Sequence, residues 1–345
     1  MPTLNKAKDE TKTVLRWGGI SFGIIIIFFM AIKFITFVKD LITPPPPPSA
    51  SFGKLPSIPF PNQVKENITY SINTLTGYLP NFPDRAKVYK ITTTPPTLLG
   101  LDKASEKVAQ IGFISPGAQI ADDTYQWVNQ DPLQKSITMN IFSSNFSLSS
   151  PYLITPSLVA FSGTDDMNSA VDTANSFLSK MTLSPTDIDG TKTKITSYSI
   201  ENSSLVGTSK ISDTKIVRVD FFQNDIDKLP IYYENGIFST LDFLIGKEGD
   251  NQEVVGATFY HRGISETSST YAIKTAQEAY SELQKGSAYI ASKPDNTVEF
   301  TINNVFLGYY IGTADQEFLM PIVIFEGNNN FVAYVSAVKD EWISN

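Results

Sequence analysis

Residues 17–32 (WGGISFGIIIIFFMAI) are sixteen consecutive positions without a charge. Continued past Lys33 through Phe34, Ile35, Phe37 and Val38, the run reaches the ~30 Å of a hydrocarbon core at ~1.5 Å per helical residue. An N-terminal transmembrane helix is therefore expected over residues 17–38, with the lipid bilayer as its partner. Lys33 lies close enough to the outer end for its stem to snorkel to the headgroups. The alternative is an acid on a neighbouring helix, which makes Lys33 a candidate partner-binding residue. A cleaved signal peptide fits less well, because the run exceeds an h-region and the nearest small-x-small site, residues 49–51, lies beyond five prolines. Lys6, Lys8, Lys12 and Arg16 precede the run and hold residues 1–16 in the cytoplasm. Everything after the span is then extracytoplasmic, and the protein is a single-pass protein of the cell membrane.

Residues 43–61 (TPPPPPSASFGKLPSIPFP) hold eight prolines in nineteen positions. Proline fixes φ and donates no N–H, so this stretch is expected to be extended polyproline II, a stalk over residues 39–61. A ligand for a cytoplasmic SH3-type reader is disfavoured, since the stretch faces outward.

Cysteine is absent, which removes disulfides, thiolate nucleophiles and Cys-ligated zinc together. An external domain without disulfides suits a bacterial surface better than a eukaryotic secretory route. The sequons at Asn67, Asn145 and Asn202 matter only in a glycosylating host. Charge is uneven: the first 61 residues carry a net +4 of the chain's total of −8, leaving −12 on the remainder. A domain that acidic repels phosphate backbones, so nucleic acid is not an expected partner.

The outer part is expected to be α+β, helix-on-antiparallel-sheet modules outside the membrane. Apolar spacings of three and four predict helices over 165–181, with Thr164 as N-cap, over 271–285, stopped by Gly286, and over 102–111. Strands are expected over 193–198, 215–222, 231–245 and 254–261, and again over 298–311, 318–325 and 331–338, with turns at 249–251 and 326–330. A helix leading into an antiparallel meander recurs, so three modules are drawn at 62–155, 156–265 and 266–345.

Four segments in order, AYSELQKGSAYIA (279–291), VEFTINNVFLGYY (298–310), FLMPIVIFEG (318–327) and FVAYVSAV (331–338), resemble the C-terminal part of YycI/YycH-type membrane-anchored extracytoplasmic regulators and of PepSY-like domains. The resemblance covers about seventy residues and the single anchor. It departs at residues 321–325 (PIVIF), where a Trp would be expected. It implies an outer domain that modulates a membrane sensor kinase or a protease without catalysing a reaction.

Chemistry-bearing motifs fail one by one. His261 is the sole histidine, which rules out HExxH and multi-His metal sites; a Ser-His-Asp site would have to use it, yet no Gly-x-Ser-x-Gly elbow exists. A strand-end residue half in solvent is the plainer account. Ser51/Lys54 and Ser212/Lys215 have Ser-x-x-Lys spacing but fall in proline-rich and turn-like segments. Residues 187–190 (DIDG) begin like a calcium loop, but Lys192 and Tyr198 stand where Gly and Glu are required. Asp122–Asp123 and Asp165–Asp166 could be paired acids, although the latter suit the first turn of a helix. No catalytic, cofactor-binding or metal-ligating residue is assigned. Tyr309 and Tyr310, with Tyr232, Tyr233 and Trp127, are candidates for an exposed aromatic recognition patch, against the alternative of strand packing. The expected function is binding and regulation of another envelope protein, such as a sensor kinase, by protein–protein contact. The alternative is a cell-wall-directed hydrolase using Asp and Glu.

Overall fold

The computed structural model describes residues 17, 22, 25–34, 48–64, 66–129 and 134–344. Contacts divide the chain into Met1–Pro48 and Ser49–Asn345. In the first unit residues 25–34 are helical with exposed side chains, Lys33 among them; the rest of the expected span lies outside the described residues apart from Trp17 and Phe22. Among the described residues no helix is long and apolar enough to cross a membrane.

The second unit is α+β and mostly sheet. In chain order it runs β1 (Thr69–Ile72), β2 (Arg85–Ile91), α1 (Gly100–Ala109), β3 (Ala118–Ala121), β4 (Thr124–Val128), β5 (Ser136–Asn140) and β6 (Phe146–Ser149). Then come α2 (Thr164–Lys180), β7 (Lys194–Glu201), β8 (Ser204–Gly207), β9 (Ile216–Asp220), β10 (Ile231–Tyr233), β11 (Leu241–Glu248) and β12 (Asn251–Phe259). It closes with β13 (Ile264–Ala272), α3 (Ala276–Gln284), β14 (Tyr289–Ser292), β15 (Glu299–Ile311), β16 (Phe318–Gly327) and β17 (Val332–Ser336).

Two sheets result. The first has the order β1-β15-β16-β17-β14, with β10 also on β15 and β2 joining β16 to β13; the second is β3-β4-β5-β6-β12-β11-β9-β7-β8, antiparallel throughout. The segments 62–155, 156–265 and 266–345 do not each keep a sheet of their own. Strands β1 and β10 pair in parallel with the two ends of β15, and β6 pairs with β12. Pairing between segments so distant leaves no mark on local periodicity.

The expected single strand over 231–245 is two strands in different sheets. Gly236, at φ +64, is in the left-handed region that glycine tolerates, and the turn there sends β10 to the first sheet and β11 to the second. The helix expected over 271–285 begins later. Tyr271 and Ala272 end β13, and Thr275 caps α3 through a capping box with Glu278. Its end agrees with expectation, with Gly286 at φ +69 just past the C-cap. Helix α2 starts at Thr164, so this residue lies inside the helix and Gly163 is the N-cap.

The stalk also needs correction. From Ser49 onward the chain is bound to the domain rather than free of it. Leu55 is fully buried and Ile58 nearly so; Leu55 N–H donates to the Trp342 carbonyl and its carbonyl accepts from Ser344 N–H. The spacing of three is the polyproline II period, so Leu55 and Ile58 fall on one side of an extended chain. The prolines around them keep that chain extended while these side chains seat under the first sheet. That sheet is thus covered on one face by α3, with Ala276, Ala279, Tyr280 and Leu283 buried, and on the other by residues 50–60 with Trp342 and Ile343. Leu55→Ala should therefore destabilise the domain by about 2–5 kcal/mol, seen as a lowered Tm; an unchanged Tm would mean that residues 49–61 hang free.

Candidate functional site

Alternation along the strands of the second sheet sorts its residues into two kinds of row. Cross-strand partners Trp127, Ile137, Leu148, Ala257, Phe243, Val219 and Ile195 form one row, and it packs into the core under α1 and α2. One residue along each strand lies the row Gln126, Thr138, Ser147, Thr258, Asp242, Asp220 and Lys194. With side chains alternating in direction, the apolar row fixes the helix-covered face, and the polar row crosses the other face.

Two concavities open on that polar face. The larger, about 840 Å³, is lined by Thr92, Thr94, Thr124, Thr138, Asn140 and Arg262 among others, and by the loop 313–317 from the first sheet. The smaller, about 380 Å³, is lined by Tyr152, Tyr198, Arg218, Thr240, Asp242 and Thr258.

Arg218 and Asp220 are two apart on β9 and so share a face. The Arg218 Nε lies 3.1 and 3.0 Å from the two Asp220 oxygens and Nη2 lies 2.9 Å from Oδ1. Asp220 is fully buried and also accepts from Ser239 N–H at 3.0 Å. Asp242, opposite Asp220 on β11, reaches Arg218 Nη2 only at 3.4 Å. The guanidinium is thus committed chiefly to Asp220. Burial dominates at Asp242, aided by the Asp220 charge, and raises its carboxyl to about 6 despite Arg218 and a hydrogen bond from Thr258. The Phe238 ring covers Arg218 at 4.3 Å from Cζ.

At the edge of the larger concavity, His261 Nε2 lies 2.7 Å from Asp187 Oδ1, and Gln223 Nε2 donates to the other Asp187 oxygen at 2.7 Å. Burial opposes ionisation of Asp187, but the hydrogen bond and charge of His261 outweigh it and hold the carboxyl below its usual range. The His261 ring stacks beside Phe259, and its backbone N–H donates to Asn145. Arg262 donates through Nη2 to the carbonyls of Thr313 and Ala314. Among the described residues the His261 ring bonds Asp187 and no hydroxyl.

Of the residues singled out from sequence, His261 lies just beyond β12 and Asp187 is its partner. Asp166 accepts from Lys247 Nζ at 2.6 Å and from Ser162 N–H at 2.8 Å, so it is a structural anion at the start of α2. Asp189 caps a short turn by accepting from Thr191 N–H, and the Ser212 hydroxyl donates to Asp213. Tyr309, Tyr310, Tyr233 and Trp127 are fully buried and form no exposed patch; aromatic residues on a strand with both faces covered become core. Lys33 lies in the other unit. The Arg218–Asp220–Asp242 group was not anticipated, although two charges spaced by two within the otherwise apolar IVRVD of β9 were its visible trace.

No family model and no curated protein matches the chain. Solved structures that align with it include an uncharacterized protein from Eubacterium rectale, at 13% identity and a TM-score of 0.38 over 80% of this chain and 90% of that one. The C-terminal domain of YpeB from Bacillus megaterium aligns at 10% identity and a TM-score of 0.32 over 72% and 95%. Alignments this loose leave fold and site to be argued from the residues themselves.

Asp242 binds its proton more tightly folded than unfolded, where a carboxyl titrates near ~4. The folded state therefore loses stability as pH rises from about 4 through about 6, by an amount on the order of 2–3 kcal/mol. Asp242→Asn should remove this decline, so that its Tm is at or above wild type at pH 7 and converges with it near pH 4. A wild-type-like pH profile in the variant would show that burial does not hold this proton.

Proposed function

We propose that the protein is a membrane-anchored, extracytoplasmic binding protein that regulates another envelope protein by direct contact, and that the polar face of the second sheet makes the contact. One observation supports this above others: the cationic and imidazole side chains around that face are engaged with protein groups, Arg218 with Asp220, His261 with Asp187 and Arg262 with backbone carbonyls, while Asp123 and Glu317 stand as exposed carboxylates on the wall of the larger concavity. Between these groups runs a half-exposed row of amide and hydroxyl side chains, Gln126, Thr138, Ser147 and Thr258, a surface suited to hydrogen bonding. The YycI/YycH-type, PepSY-like reading of residues 279–338 agrees with such a role and rests on the sequence pattern alone. The anchor rests on the apolar run 17–38 and the basic residues before it.

A hydrolase of the two-carboxylate kind needs its acids to face each other across the substrate, one to protonate and one to attack or activate water. Asp220 and Asp242 instead converge on one guanidinium from paired strand positions, which favours the binding reading. Two measurements test it. Photocrosslinking residues placed at Gln126 or Thr138 of the full-length protein in intact cells should trap a membrane or envelope protein, whereas one at Asp172 on the exposed side of α2 should not. Equal trapping from all three positions, or none, would overturn the assignment of this face. Protease added outside the same cells should digest residues 62–345 and spare the lysine-rich N-terminus; a digested N-terminus reverses the topology.

A further inference from the structure

Of the aromatic residues expected to form an exposed patch, Tyr310 and Tyr232 lie with Tyr289 and Tyr334 on the face of the first sheet that the protein's own segment 50–60 covers. The Phe60 ring stacks on Tyr289 at 5.1 Å and 6°, and meets the edge of Tyr310 at 4.8 Å; Tyr334 lies at 6.4 Å. Beside this box is β14, the edge strand of the sheet. Its outward-facing Ile290 carbonyl accepts from Gln63 Nε2 at 2.6 Å, and its N–H donates to Gln63 Oε1 at 2.8 Å. A primary amide thus stands where the peptide group of an added strand would be. A cavity of about 550 Å³ opens beside these contacts, lined by residues 60–64, Leu283 of α3 and Tyr289 and Ile290 of β14.

Three features make the cover exchangeable. Pro59 and Pro61 flank Phe60 and bring no N–H, so the segment cannot extend a ladder along β14. Among the described residues, 61–68 make no backbone–backbone hydrogen bond. Phe60 is itself only half-buried. We propose that the β14 edge and the Phe60 box form a peptide-recognition site occupied in cis. Its partner is an extended, uncharged segment of another protein that places an aromatic side chain between Tyr289 and Tyr310 and adds as a strand to β14. Such a partner regains the ladder bonds that the prolines forfeit and releases the segment that leads back toward residues 17–38. The site lies on the first sheet and does not depend on the polar face of the second.

The test uses the full-length protein and two labelled peptides: VFVNQV, which is residues 59–64 with both prolines replaced by Val, and VAVNQV, which lacks the aromatic ring. A cis segment that fills the site about nine-tenths of the time weakens a trans peptide about tenfold. Phe60→Ala/Gln63→Ala protein should therefore bind VFVNQV about tenfold more tightly than wild type, and VAVNQV should not bind. If the double variant fails to fold, Gln63→Ala, altered only at an exposed side chain, should still show tighter VFVNQV binding than wild type. Folded variant protein that ignores VFVNQV, that binds both peptides alike, or that binds no better than wild type would overturn the proposal, and none of these results bears on crosslinking from Gln126 or Thr138.

Discussion

The architecture hangs on β15. On one edge this thirteen-residue strand pairs with β16, and on the other with β1 near its start and β10 at its end. Both of the latter pairings are parallel and join segments far apart in the chain, so their loop-closure entropy must be offset by burial. The strand's sequence supplies it, since Leu307 and the residues from Tyr309 to Ile311 are buried, as are their neighbours on β16. Through β10 the first sheet is tied to the second, because β9 and β11 flank β10 in sequence and are themselves paired. This tie brings the loop 313–317 to the wall of the large concavity, where Arg262 donates to its carbonyls.

Local chemistry made part of this readable in advance. The close of α3 followed from Gly286, and most strands of the second half were visible because β-branched and aromatic runs are bounded by polar turns. What could not be read was partnership. Nothing near Ile231 announces that its strand leaves its neighbours for β15, and nothing near Thr69 announces a parallel partner at Glu299. The candidate site was legible to the same degree. His261 was noticed because it is alone, but Asp187, its partner, drew attention only for a calcium loop it does not make. Burial is likewise a property of two faces: Tyr309 and Tyr310 look like recognition residues until Tyr89 and Ile231 are packed on the first and the N-terminal segment on the second.

The charges on the second sheet show how buried charge on a polar face is kept stable. A fully buried Asp220 would be costly alone, but Arg218 chelates it and Ser239 N–H bonds it. Burial raises the Asp242 carboxyl, and the weaker share of the same cation that reaches it does not offset that burial. The opposite outcome holds at Asp187, where His261 and Gln223 act on one carboxylate without a competing acid. Burial opposes ionisation at both aspartates: at the deeper Asp242, whose cation is shared with Asp220, it prevails, and at the more exposed Asp187 the bonds from His261 and Gln223 outweigh it.

Proline-rich chain is commonly read as spacer because it cannot join a ladder, and residues 49–61 show that the inference runs only one way. Leu55, Ile58 and Phe60 alternate with prolines, and the extended backbone that makes polyproline II a good spacer also delivers side chains at a fixed spacing to a waiting surface at low entropic cost. The same absence of N–H groups that keeps this segment out of the sheet leaves the β14 edge satisfied by a side-chain amide alone. A segment that meets β14 through side chains and makes no ladder with it covers this edge strand against indiscriminate association. It also leaves that edge open to a better strand.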